Sequence, residues 1–336
     1  MKKYRFLFIT IILVIATVIV CLTALSIGQG DISIKKATAV LLGSCIYSIK
    51  GEPEQNQQER DIILKIRLPR VILGFIVGAG LSVVGVCFQS MLANPLADPY
   101  ILGASSGAAL GTSLVVAFGI NSILLQPICA FLGALLAIIM VYLLAQHKRM
   151  LNVHTLLLSG VIVNSFLFAL VIFLMSLIGR DSGQILMWLL GSLVTFQSDL
   201  IGIIGVITFA GIIILQINSW KLNLISIGEE KATSLGINSE STKLLLFVVS
   251  SIIVGAVVSI SGLIGFVGLI VPHITRLILG PDNRKLIIGS MLIGGNFLVI
   301  SDCIARTIVQ PIELPIGVIT ALAGAPFFFY LLRRNR

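Results

Sequence analysis

Charge is what this chain lacks. Charged residues fill 11% of its 336 positions, where a soluble domain carries about 25%. Acids are scarcest, 14 against 23 lysines and arginines. So little polar surface cannot cover a water-soluble globule, and the chain reads as an integral membrane protein. The formal net charge of +9 sits on loops and ends, which makes nucleic acid a poor partner. Five scattered cysteines (Cys21, Cys45, Cys87, Cys129, Cys303) form no CxxC pair. They predict neither a disulfide framework nor a cysteine-based metal site.

Catalytic and nucleotide patterns are also missing. No GxxxxGK[ST] occurs, so if ATP drives this protein another chain binds it. His147, His154 and His273 make no HExxH spacing and read as polar caps rather than metal ligands. No Ser/His/Asp arrangement is supported. A membrane enzyme would need clustered catalytic groups, and none stand out.

What the chain has is apolar length. Hydrophobic residues make up 57% of it. A spanning helix takes roughly 20 mostly apolar residues, and ten stretches qualify: 6–27, 62–91, 100–119, 123–145, 154–178, 199–217, 243–261, 264–280, 286–304 and 315–332. The first follows Met-Lys-Lys-Tyr-Arg-Phe. It outruns the roughly 7–15 apolar residues of a signal core and reads as a membrane helix. With the N-terminus inside, 14 basic residues near span ends face the cytoplasm and nine face outward, seven of those in one long first loop. Short loops decide orientation, so both termini are expected in the cytoplasm of a bacterial cell.

A stretch of sequence is also written twice. Residues 76–103 match 253–280 at Ile76-Val77-Gly78-Ala79 and Ile253-Val254-Gly255-Ala256, at Ser82/Ser259, Gly85/Gly262 and Pro95/Pro272, and at Ile101-Leu102-Gly103 and Ile278-Leu279-Gly280. The copies begin in spans two and seven. An odd separation makes them run in opposite directions, the inverted repeat of a transporter. The expected fold is an all-α integral membrane domain over 1–336 with ten transmembrane helices. Its repeat halves lie near 62–180 and 243–332.

Four polar segments stand out. Arg67-Leu68-Pro69-Arg70 lies at the outer mouth of span two, either as interfacial anchors or as a dock for carboxylates. Asn94-Pro95-Leu96-Ala97-Asp98-Pro99 lies on the inner side. Its two prolines break helix, and Asp98 reads as a turn residue bonding nearby backbone, with pore lining the alternative. In 226–240, Gly228 opens a short helix with Glu229 and Glu230 in its first turn, Gly236 stops it and Asn238 caps the next. This segment is a plain connector, or a knob whose Ala232, Leu235 and Ile237 pack on a partner. Asp302 and Arg306 stand four apart and can pair on one helix face. Glu313-Leu314-Pro315-Ile316-Gly317 then opens the last span.

Together these segments resemble the FecCD permeases, the membrane subunits of type II ABC importers for iron–siderophore complexes, haem and vitamin B12. Leu158-Ser159-Gly160-Val161, Met187 to Ser192 and Gly262 to Arg276 add to the likeness, which covers nearly the whole chain. The resemblance implies a type II importer permease working as a homodimer or a pair of related chains, with the pathway between them. It implies that Arg67, Arg70 and Arg306 face outward to glutamates of a periplasmic or lipoprotein binding protein. It makes Gly228, Glu229, Glu230, Ala232, Leu235 and Gly236 the coupling contact with two ATP-binding subunits. It puts Asn152, Val153, His154 and Thr155 near the inner gate. ATP and magnesium belong to the partner ATPase, and no cofactor is expected on this chain. An iron chelate is the expected cargo, haem or cobalamin the alternative. An ion-coupled secondary transporter is the rival class, disfavoured because mid-span carboxylates are nearly absent.

Overall fold

Helix dominates because a backbone in hydrocarbon must satisfy its own hydrogen bonds. The computed structural model describes residues 2–28, 33–46, 54–120, 122, 124–147, 150–151, 153–179, 182–194 and 198–334. In chain order the helices are α1 (Lys2–Ser26), α2 (Ile34–Ile46), α3 (Glu54–Asp61), α4 (Leu68–Met91), α5 (Ala104–Ala117), α6 (Leu125–Ala145), α7 (Val153–Ile178), α8 (Ser182–Leu189), α9 (Ser198–Ile217), α10 (Ser219–Ile227), α11 (Glu229–Ser234), α12 (Ser239–Ser261), α13 (Val267–Leu279), α14 (Asn283–Thr307) and α15 (Ile316–Arg334). A π-helical segment, Ile62–Arg67, joins α3 to α4. Two-residue strands β1 (Gln146–His147) and β2 (Met150–Leu151) pair antiparallel ahead of α7.

Each of the ten predicted spans meets a helix: α1, α4, α5, α6, α7, α9, α12, α13, α14 and α15. Seven segments are long and apolar enough to cross a membrane, one of them the continuous run Gln57–Met91. The other three, α5, α13 and α15, are shorter. The third and eighth spans begin later than their apolar runs suggest. Gly103 ahead of α5 has φ of 80°, and Phe266 ahead of α13 has φ of 68°. Both are left-handed positions that no continuing helix adopts.

The buried core centres on α4, whose residues from Ile76 to Met91 are all buried. Glycine lets its neighbours come close. A Cβ on Gly78 would lie 2.2 Å from the Gly294 carbonyl oxygen of α14, and one on Gly85 2.0 Å from the Gly268 carbonyl oxygen of α13. Only a residue without a side chain permits such contact. α1 lies at the periphery, with none of its apolar window buried.

The packing is exchanged by one rule. α4 touches α14 and α12 touches α6; α13 touches α4 and α5 touches α12; α5 packs with α6 and α7, and α13 with α14 and α15. Swapping α4 with α12, α5 with α13, α6 with α14 and α7 with α15 maps each pair onto another. α9 touches both α4 and α12. The second and seventh of ten spans are thus equivalent and antiparallel, an inverted repeat.

The duplicated stretch is structurally equivalent only in its first part. Gly85 lies inside α4, which continues to Met91. Gly262 ends α12 with φ of 66°. Beyond that pair the copies separate: Gly103 precedes a helix, whereas its sequence partner Gly280 follows one.

Candidate functional site

Two polar clusters occupy opposite ends of the helix bundle. At one end, the last carbonyls of α1 have no partner within their own helix. Arg67 donates to Leu25 O at 2.8 Å and Ser26 O at 3.0 Å. Arg306 donates to Ile27 O at 3.2 Å and Ala24 O at 3.4 Å. Cationic groups also suit the negative end of a helix. Asp302 then binds two arginines. Its carboxylate lies 3.0 Å from Arg306 Nε and 2.9 Å from both Arg70 Nε and Nη2. Arg70 Nη1 reaches Glu313 Oε2 at 2.8 Å.

The structure therefore brings Arg67, Arg70 and Arg306 together, from positions up to 239 apart in the chain. It does not turn all three outward, as the resemblance implied. Arg67 is 3% and Arg306 5% exposed, because Arg67 holds the end of α1 and Arg306 divides its guanidinium between that end and Asp302. Asp302 and Arg306 pair as their four-residue spacing predicts. No local pattern signals that Arg70, 232 residues away, shares the same carboxylate.

The opposite end carries the 226–240 segment. Gly228, with φ of 138°, separates α10 from α11, and Glu229 and Glu230 fill the first turn of α11. Gly236 follows with φ of 83°. Asn238 caps α12, its Oδ1 accepting from Ser241 N at 3.1 Å. These are the expected local roles. The expected packing face divides: Leu235 is well exposed, whereas Ala232 and Ile237 are buried within the chain itself, since α11 folds back on the start of α12. Those two side chains are unavailable to a partner. Glu229 is paired with Lys243, a contact the sequence reading did not contain.

A buried polar seam ties this end together. Ser90 Oγ donates to Asn283 Oδ1 at 2.8 Å, Asn223 Nδ2 to Asp282 Oδ1 at 2.8 Å, and Asn283 N to Asn223 Oδ1 at 2.8 Å. These links join α4, α10 and the start of α14. In the Asn94–Pro99 turn, Asn94 Oδ1 accepts from Leu96 N at 2.9 Å and Asp98 Oδ1 from Tyr100 N at 2.7 Å. Burial pushes the Asp98 carboxyl up to about 6, against the pull of the Tyr100 N–H. The Pro95 ring is exposed, whereas Pro99 packs so closely on Gly268 that a Cβ there would lie 2.4 Å from its ring. Of the expected gate residues, Asn152 lies outside the described residues. Val153 and His154 open α7, with His154 exposed and Thr155 half-buried.

Ten packed helices with an inverted repeat and a charged cluster at each end define a multi-pass permease. The FecCD transport family model matches residues 14–334, and the chain belongs to that family. It is 40% identical over 326 residues to a Helicobacter pylori permease named for an iron chelatin transport system, covering 96% of this chain and 97% of that one. It is 44% identical over 286 residues to the cobalamin import system permease BtuC of Halobacterium salinarum, covering 84% and 75%. A solved structure described as an inward-facing metal-chelate type ABC transporter superposes with a TM-score of 0.84 at 30% identity, covering 97% of this chain and 99% of that one. The fold is that of a type II ABC importer permease, a class that works with an ATPase and a substrate-binding protein.

Proposed function

We propose that this chain is the permease subunit of an importer that moves an iron chelate across a bacterial cytoplasmic membrane. Two copies line the pathway between them, with both termini inside. The observation that carries the reading is the two-ended layout: an arginine–carboxylate cluster at one end, and a knob with an exposed Leu235 at the other. Family membership supports assigning a partner to each end. The binding protein docks on the cluster of Arg67, Arg70 and Arg306. Arg67 and Arg306 hold the platform rigid, and Arg70 offers charge to an incoming carboxylate by exchanging Glu313. Gly228 to Gly236 meet the ATPase, with Glu230 and Leu235 as the contacts left open. ATP and magnesium stay on that partner. The turn at Asn94–Pro99 braces α13 beneath the knob end, and Asn152 to Thr155 form the inner gate.

Haem and cobalamin remain the alternative cargoes, because relatives are named for hemin and for cobalamin. Proteoliposomes holding this chain, its ATPase and its binding protein separate the readings. Iron(III) hydroxamate and catecholate chelates, haemin and cyanocobalamin are offered in turn. Vanadate-sensitive uptake of an iron chelate is expected. Uptake of haemin or cyanocobalamin alone moves the assignment to that cargo. Uptake driven by an ion gradient without ATPase overturns the reading altogether.

A further inference from the structure

Lys243 is buried at the start of α12, its side chain 2% exposed. Burying a lysine ammonium is costly, and a carboxylate beside it offsets part of the lost hydration. Here that group is Glu229, the first residue of α11, whose side chain is half exposed. Among the described residues, no second carboxylate forms an ion pair with Lys243. The rest of the corner is closed by shorter-range contacts. Ile237 N donates to Ala232 O at 3.1 Å, and the hydroxyls of Thr233 and Ser239 lie 3.3 Å apart.

Separating α11 from α12 would strand the Lys243 cation in an apolar setting, so the pair resists opening.

We propose that Lys243 is a positioning residue that makes α11 and α12 one rigid body. A push on the knob is then delivered to α12, and from there to α4, α5, α6 and α9, which α12 touches. The direction of that push rests on reading the knob as the ATPase contact; the tether itself does not.

The test places nitroxide labels at Leu235 and Ile252, both exposed, in a cysteine-free chain in lipid nanodiscs. Lys243→Met is expected to widen the distance distribution roughly twofold, and Glu229→Gln to widen it in the same direction. The exchange Glu229→Lys with Lys243→Glu is expected to narrow it again. An unchanged width in Lys243→Met, or in Glu229→Gln should the first variant fail to fold, overturns the tether. With the ATPase present, trapping by Mg-ATP and vanadate is expected to leave the wild-type 235–252 distance unchanged, and a changed distance overturns the rigid body. Failure of the ATPase to co-purify with the wild-type chain would overturn the coupling reading instead and leave the nanodisc result standing.

Discussion

Asp302 holds two guanidinium groups with one carboxylate, and its side chain is 4% exposed. Removing one member of a buried ion pair leaves the others uncompensated, which costs on the order of 3–5 kcal/mol. Asp302→Asn should therefore lower the thermal unfolding midpoint in detergent substantially, because Arg70 and Arg306 lose their shared counter-charge. Glu313 is the contrasting case. Its side chain is 37% exposed, and exposed pairs contribute about 1 kcal/mol or less. Glu313→Gln should hardly move the unfolding midpoint, while strengthening capture of the binding protein by a freed Arg70. Weaker capture would show that Glu313 takes part in docking itself rather than competing for Arg70. Arg67 and Arg306 belong with Asp302 in this contrast. They hold the carbonyls that end α1, so replacing either loosens the platform before it touches docking.

At the scale of helices, glycine contacts set how closely neighbours approach, between the two halves at Gly85 and within the first half at Gly107. Gly85→Ala pushes a methyl into the Gly268 backbone, and Gly107→Ala pushes one into the Gly133 carbonyl, 2.2 Å away. Neither neighbour is a flexible side-chain tip that could swing aside. Both variants are expected to reduce folded protein on size-exclusion chromatography severalfold. Gly202→Ala in α9 meets nothing within 4 Å, and alanine favours helix by about 1 kcal/mol over glycine. That variant should accumulate at least as well as the parent. These contacts also show what was legible in the sequence. The spans followed from apolar length, and Gly78 and Gly85 were visible as matched positions of a duplicated stretch. The partners were not, because Gly294 and Gly268 lie some 180–220 residues away in the chain, and local pattern carries no such information. The same limit hid the Arg70–Asp302 pair and the Lys243–Glu229 tether. The four-residue pairing of Asp302 with Arg306 was visible because helix geometry alone dictates it.

For the whole molecule, the inverted repeat requires that α13 cross the membrane, although it has only 13 residues. At 1.5 Å per residue it spans about 20 Å, short of a hydrocarbon core of about 30 Å. The chain makes up the difference with the non-helical stretch 262–266 ahead of it, which adds up to about 16 Å at roughly 3.3 Å per residue. Non-helical backbone survives at membrane depth only when buried in protein. Here Ile264 N donates to the Tyr100 hydroxyl at 3.2 Å, and Gly262 and Gly191 pack backbone to backbone. Three crossings, α12, α13 and α14, then separate Leu235 from Ile308, both exposed. In a cysteine-free background, Leu235→Cys should react with a membrane-impermeant maleimide only after cells are opened, and Ile308→Cys in intact cells. If both react from the same side, α13 does not cross, the span count falls to nine, and α13 is no longer the equivalent of α5 in the repeat.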